Sequence, residues 1–96
     1  MKYHLPERII RELYSFAQKY AVTKIVLFGS RARGTNTERS DVDIAVYGGD
    51  FDSFYWDVKE NIYSLLMFDV VHADASIPDE LKKEIEKDGV VIYEKA

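Results

Sequence analysis

The chain has 96 residues, enough for one hydrophobic core and one site, so we expect a single domain over residues 1–96. Hydrophobic residues make up 47% and charged residues 31%, which is the balance of a folded globular protein rather than a disordered one. The absence of cysteine excludes disulfides and thiolate metal sites, and the formal net charge of −4 disfavours broad nucleic-acid binding.

Nothing in the sequence predicts export or membrane insertion. Residues 1–8 are charged and contain no apolar signal core. The longest apolar run, residues 65–73, is interrupted by Asp69 and is shorter than the roughly 20 residues of a spanning helix. We therefore expect a cytoplasmic protein without a membrane segment.

The first third of the chain predicts a helix, a strand and a short helix. Apolar residues recur at helical spacing over residues 5–20, and Pro6 suits the first turn of that helix. Residues 23–28 are β-branched and apolar, which is typical of a strand buried on both faces. Ser30 is expected to cap a short helix over residues 30–33.

Residues 41–47 alternate in character and predict a second strand. Asp41 and Asp43 fall on one face of that strand, and Val42, Ile44 and Val46 fall on the other. The two aspartates therefore point the same way.

The second half predicts helix, strand, helix and strand. An apolar stripe over residues 51–66 indicates a helix, and residues 67–72 indicate a strand with Asp69 in its middle. A helix ends at Asp88-Gly89, and residues 90–93 form a last strand. The fold class is thus α/β (α+β), with a small mixed sheet of about four strands covered by helices.

The aspartates are candidate metal ligands. Two aspartates at i and i+2 on a strand have Cα atoms roughly 6.5 Å apart on one face, so both carboxylates can reach one divalent cation or bridge two. Asp69 breaks an apolar run in the same unexpected way, which makes it the preferred third ligand over Asp74 in a predicted loop. The alternative is that the Asp-x-Asp pair is simply solvated or belongs to a turn.

A second candidate feature is the turn Leu27-Phe28-Gly29-Ser30. A strand that runs into Gly-Ser and then a helix offers backbone N–H groups and a hydroxyl, which suits phosphate. Taken alone, the stretch is better explained as an ordinary strand-to-helix turn with a serine cap. Beside three carboxylates the phosphate interpretation gains weight, since Mg²⁺ is usually held by carboxylates together with nucleotide phosphates.

Gly29-Ser30, ten residues and then Asp41-Val42-Asp43 resemble the GSx10DxD signature of the polymerase-beta-like nucleotidyltransferase superfamily, in particular its minimal nucleotidyltransferases, or MNT proteins. The resemblance covers essentially the whole chain, from the leading helix to the closing strand, and it implies the fold of that superfamily.

The resemblance also implies roles for single residues. Gly29 and Ser30 would hold a nucleoside triphosphate, and Asp41, Asp43 and Asp69 would bind Mg²⁺, two ions being expected. The reaction implied is transfer of a nucleoside monophosphate, AMP from ATP, to a hydroxyl acceptor.

The roles of two arginines remain open, and two histidines have no role in the signature. Arg31 and Arg33 either assist the phosphates or are solvated helix charges. His4 has no place in the signature, and His72 would face away from Asp69 on its strand.

MNT proteins usually pair with a helical HEPN-domain toxin, and the resemblance implies that this chain is the antitoxin and modifies a tyrosine of such a toxin. A domain this small has little surface to enclose two substrates, so we expect a second protein or a second copy to complete the cleft. The alternatives are a binding module that neutralises its partner by contact alone, and a free-standing enzyme for small molecules. Trp56 lies off the inward stripe of its helix and is either a partner surface or casual packing.

Overall fold

The computed structural model describes residues 5–37, 39–62 and 66–95. Helices and strands alternate along these ranges in the predicted order. The elements are α1 (Glu7–Lys19), β1 (Lys24–Phe28), α2 (Ser30–Arg33), β2 (Val42–Tyr47), α3 (Phe51–Asn61), β3 (Phe68–His72), α4 (Asp79–Asp88) and β4 (Val90–Glu94).

The four strands form one mixed sheet in the order β3-β2-β1-β4. β1 is antiparallel to both β2 and β4, whereas β2 and β3 are parallel. A parallel pair needs a crossover, and α3 supplies it between β2 and β3. The prediction of a small mixed sheet of about four strands covered by helices is confirmed.

The sheet is covered on both faces, which explains why β1 is apolar throughout. One face packs against α1 and α3 and carries the larger core, which includes Ile25, Leu27 and Ile44. The other face carries a smaller core under α4, formed by Val26, Phe28, Ala45 and Ile85. Ile25 to Phe28 are all buried, so the predicted burial of this strand on both faces is confirmed.

The ends of several elements differ from the prediction. Ser30 is the first residue of α2 rather than its cap: Gly29 occupies the cap position, and no side chain bonds to the helix end there. α3 ends at Asn61, five residues short of the prediction, and residues 63–65 lie outside the described ranges. α3 begins at a cap that was not predicted, since the Asp50 carboxylate accepts from the Ser53 amide at 3.2 Å.

Polar contacts fasten the helices of the larger core to each other and to the sheet. The Tyr20 hydroxyl, just after α1, donates to the Asp57 carboxylate of α3, and Lys19 adds an ion pair to the same group at 3.5 Å. The Lys59 ammonium of α3 donates to the Phe68 carbonyl at the start of β3. These contacts hold α3 in place as the crossover that sets β3 beside β2.

Along the described ranges, every helix is too short or too polar to cross a lipid bilayer.

Candidate active site

Asp43 of β2 and Asp69 of β3 are partners in the register of the parallel pair. Residues that are partners across two paired strands point to the same face of a sheet. Both aspartates therefore lie on the face that α4 covers, with Asp43 half-buried and Asp69 exposed at the edge strand. The structure thus brings together two carboxylates that lie 26 residues apart in the sequence.

Asp41 lies just outside the strand, since β2 begins at Val42. Asp41 is exposed, but it is close enough to Asp43 for its negative charge to raise the pKa of Asp43. Burial, followed by the negative charges of Asp69, Asp41 and Glu84, raises the pKa of Asp43 to about 6, and Arg33 opposes this shift. The three predicted aspartates therefore form one electrostatic cluster.

Gly29 lies directly under the Asp43 carboxylate. Phe28 is the register partner of Asp43, so the turn that follows β1 is adjacent to it. Gly29 has φ +74°, and a Cβ at this position would overlap the Asp43 carboxylate. The Gly29-Ser30 turn and the aspartate cluster therefore form a single site at one end of the β1 and β2 strands.

The two arginines that follow the turn have different surroundings. Arg31 is 4% exposed, and its Nε donates to the Ser40 carbonyl at 3.1 Å, so it is not a solvated helix charge. Arg33 is part-exposed and pairs with Asp88 at 3.2 Å and with Glu84 at 3.7 Å, both on α4. Whether either one meets a phosphate stays a prediction.

Glu84 was not among the predicted site residues. It acts on Asp43 from α4, a helix whose sequence shows only an ordinary charged face. No local signal marks this residue, because its position depends on how α4 crosses the sheet. Its negative charge adds to the excess of carboxylates at the site.

The other residues that the sequence singled out lie away from the aspartate cluster or outside the described residues. The Asp74 carboxylate accepts from the Gly48 amide at 2.6 Å and so fastens the turn after β2. His72 lies on the opposite face from Asp69, as predicted, and stacks on Phe51 with ring centroids 4.2 Å apart. His4 lies outside the described residues, and Trp56 is 58% exposed beside Tyr55.

The donor set fits a hard divalent cation by its chemistry. Carboxylate oxygens are the ligands that Mg²⁺ prefers in proteins, and a cation would offset the repulsion between carboxylates that, after burial, raises the pKa of Asp43. In the part of the chain that the structure describes, no three His, Cys, Asp or Glu side chains already surround a common point that could hold an ion. Binding an ion therefore requires these carboxylates to turn toward one another.

Similar proteins were found by sequence. Residues 11–96 match the family model described as polymerase beta, nucleotidyltransferase. Two relatives from Methanocaldococcus jannaschii are named as candidate protein adenylyltransferases. MJ0604 is 48% identical over 50 residues, which span 48% of this chain and half of that protein. MJ0128 is 33% identical over 79 residues, which span 78% of this chain and 81% of that protein.

Solved structures have the same fold. A toxin–antitoxin crystal structure with AMP-PNP superposes with a TM-score of 0.71 and 26% identity, covering 95% of this chain and 75% of that one. A variant of the toxin–antitoxin MntA–HpeT superposes with a TM-score of 0.69 and 21% identity, covering 90% and 73%. The family match over residues 11–96 agrees with the mixed sheet of the fold. The chain therefore belongs to the polymerase beta nucleotidyltransferase family and is a nucleotidyltransferase.

Proposed function

We propose that this nucleotidyltransferase transfers AMP from ATP, in the presence of Mg²⁺, to a hydroxyl group of a partner protein. The acceptor would be a tyrosine of a HEPN toxin, with this chain as the antitoxin. The observation that carries the proposal is the in-register pair Asp43 and Asp69 beside the Gly29 turn. Two carboxylates next to a backbone turn suit a metal-bound triphosphate.

Gly29 and Ser30 would hold the triphosphate. Because Gly29 has no side chain, the Asp43 carboxylate stands directly against the turn, so a metal held by Asp43 would lie next to the backbone that holds the phosphates. Arg33 is the better placed of the two arginines to reach a phosphate, since its guanidinium is part-exposed while that of Arg31 is buried against Ser40. A triphosphate would compete with Glu84 and Asp88 for Arg33.

Asp41, Asp43 and Asp69 would hold the metal, with two Mg²⁺ ions expected. When bound, Mg²⁺ stabilises negative charge on the attacking and leaving oxygens. Asp69 is exposed on the edge strand, so an acceptor can approach it from that side. In the reaction the acceptor oxygen would bond to the α-phosphorus as the bond to pyrophosphate breaks; pyrophosphate would leave with the electron pair of that bond, and the acceptor hydroxyl would give its proton to water.

A protein acceptor agrees with two observations. The relatives from Methanocaldococcus jannaschii are named for adenylyl transfer to protein, and the superposed crystal structures contain toxin–antitoxin proteins. The site is open at the edge of the sheet, where Asp69 is exposed. A second protein that docks there would carry the acceptor and complete the cleft.

The test is a transfer assay. The protein is incubated with α-³²P-ATP and Mg²⁺, with and without the protein encoded next to it, and the label is located by mass spectrometry. We expect label on a tyrosine of the neighbour, no label with EDTA, and loss of transfer in Asp43→Asn. Asp52→Asn, an exposed aspartate in the first turn of α3, is the matched control and should transfer normally.

Other results would decide against the proposal. Neutralisation of the partner without label, unchanged in Asp43→Asn, would show a binding module that acts by contact. Label on a small molecule rather than on either chain would show a free-standing enzyme.

A further inference from the structure

Arg31 is the one charged residue that is buried within the described ranges. It is the second residue of α2, directly after the Gly29-Ser30 turn. A guanidinium that leaves water needs hydrogen bonds in exchange, and the Arg31 Nε donates to the carbonyl oxygen of Ser40 at 3.1 Å. Arg31 therefore joins the start of α2 to the end of the loop that leads into β2.

The peptide that accepts this bond links Ser40 to Asp41. Asp43 and Asp69 lie inside paired strands, so the sheet fixes their backbones. Asp41 lies one residue before β2, whose first amide, that of Val42, donates to the Met67 carbonyl at 2.8 Å. The Arg31 contact thus orders the backbone on the side of Asp41 that the sheet does not reach.

The amide, the hydroxyl and the carbonyl of Ser40 each make a hydrogen bond. Its amide donates to the Thr37 carbonyl at 3.2 Å, and its hydroxyl accepts from the Thr37 amide at 2.9 Å. Arg31 completes the set by binding the Ser40 carbonyl. Hydrogen bonds between Ser40 and Thr37 therefore order the loop locally, and the Arg31 hydrogen bond joins it to α2.

We infer that Arg31 is a positioning residue for the metal site. Its guanidinium fixes the Ser40–Asp41 peptide relative to the Gly29-Ser30 turn, so that Asp41 stands where it can share a divalent cation with Asp43. The inference rests on the proposed function, because it takes Asp41 as a metal ligand. It gives Arg31 a role at the metal rather than at the phosphates.

Mn²⁺ binding tests the inference without turnover. Free Mn²⁺ is measured by electron paramagnetic resonance in titrations of the wild-type protein, Arg31→Met, Asp41→Asn and the double variant. Loss of a residue that orients a ligand typically weakens metal binding by about 10–100-fold. We expect a loss in this range for Arg31→Met and no further loss in the double variant beyond Asp41→Asn, because the position of Asp41 matters only while it can bind metal.

Two further variants keep the result interpretable. Arg39→Met removes an exposed positive charge from the same loop, and its Mn²⁺ affinity should stay within about threefold of the wild type, since single exposed charges have weak effects. Arg31→Lys keeps the charge and serves if Arg31→Met does not fold, with an intermediate loss expected. Amide hydrogen exchange should be faster over residues 35–41 in both Arg31 variants.

Three outcomes would overturn the inference. Additive losses in the double variant would mean that Arg31 does not act through Asp41. A lower melting temperature with unchanged Mn²⁺ affinity would show a structural role only, and a raised KM for ATP with unchanged Mn²⁺ affinity would show a phosphate contact. Coupled losses in a protein that transfers no AMP would overturn the proposed function alone.

Discussion

At the scale of single residues, Gly29 meets two requirements at once. Its φ of +74° is one that side chains disfavour, and the space above its Cα is taken by the Asp43 carboxylate. The glycine therefore lets the backbone turn and lets the Asp43 carboxylate stand directly against that turn. The first requirement is set by the local backbone, whereas the second appears only when β2 lies beside β1.

We predict that Gly29→Ala destabilises the fold and abolishes transfer. The backbone conformation of Gly29, φ +74° with ψ −156°, alone costs a residue with a side chain about 1–3 kcal/mol, and displacement of Asp43 adds to it, so the melting temperature should fall by roughly 5–20 °C. Gly34→Ala is the matched control, because Gly34 also has positive φ, at +80°. Thermal unfolding and transfer assays below the melting temperature separate the two effects. Equal activity in the two variants would contradict this account of Gly29.

The carboxyl group of Asp43 makes stability depend on pH. Its pKa is raised from 3.8 to about 6 in the folded chain, chiefly by burial and by Asp69. The folded state therefore binds the proton more tightly than the unfolded state does. The resulting stabilisation is fully present below about pH 4 and is lost as the pH rises through 6.

In EDTA, Asp43→Asn should therefore be more stable than the wild type above pH 6, and the difference should vanish toward pH 4. Urea unfolding across this pH range measures it. Mg²⁺ should narrow the gap at pH 7 by stabilising only the wild type. A variant that is less stable than the wild type at pH 7 in EDTA would show that the charge of Asp43 is already compensated in the fold.

The sequence predicted some of these residues better than others. Asp43 and Asp69 could be predicted because each is a charge in an otherwise apolar strand, a local conflict that indicates function. The burial of Arg31 could not be predicted, since it depends on the path of residues 34–37 and 39–41, which lie in no helix or strand. Glu84 looked like any other charge on an amphipathic helix.

At the scale of elements, α1 and α3 are joined by a polar link over the larger core. The Tyr20 hydroxyl donates to the Asp57 carboxylate, and this bond is the main cause of the lowered pKa of Asp57. Because α3 is the crossover between β2 and β3, the link also supports the relative position of the strands that carry Asp43 and Asp69.

We predict that Tyr20→Phe lowers the melting temperature by a few degrees at neutral pH, since the hydrogen bond is lost and the ring is kept. A carboxyl with a lowered pKa stabilises the fold above its unfolded pKa, here 3.8, and this contribution disappears as the pH falls through the folded pKa. The difference between the variant and the wild type should therefore shrink below pH 4. Tyr14→Phe is the control, and an equal loss in both variants would contradict a specific link.

The order and types of the elements followed from apolar periodicity, whereas their ends did not. The apolar pattern of α3 continues beyond Asn61, where the structure ends the helix. The cap at Ser30 was wrong because the glycine before it adopts a backbone that opens the helix without a side-chain cap. Helix ends depend on such local contacts, which periodicity does not encode.

At the scale of the whole molecule, strand order creates the site. The sequence predicted four strands but not the order β3-β2-β1-β4, which places β2 between the turn of β1 and the carboxylate of β3. This order depends on α3 crossing over one face of the sheet and α4 covering the other. Both arrangements are set by tertiary packing rather than by local sequence. It also leaves β3 at the edge of the sheet, where Asp69 is exposed.

The most direct measurement compares variants of Asp69 and Asp74, the two aspartates that the sequence offered as the third metal ligand. Transfer of ³²P-AMP from ATP to the partner protein is assayed for Asp69→Asn and Asp74→Asn. We predict that Asp69→Asn abolishes transfer and keeps the fold, whereas Asp74→Asn keeps transfer because its amide oxygen can still accept from Gly48. Normal transfer by Asp69→Asn, or loss only in Asp74→Asn, would contradict the assignment of Asp69 to the metal site.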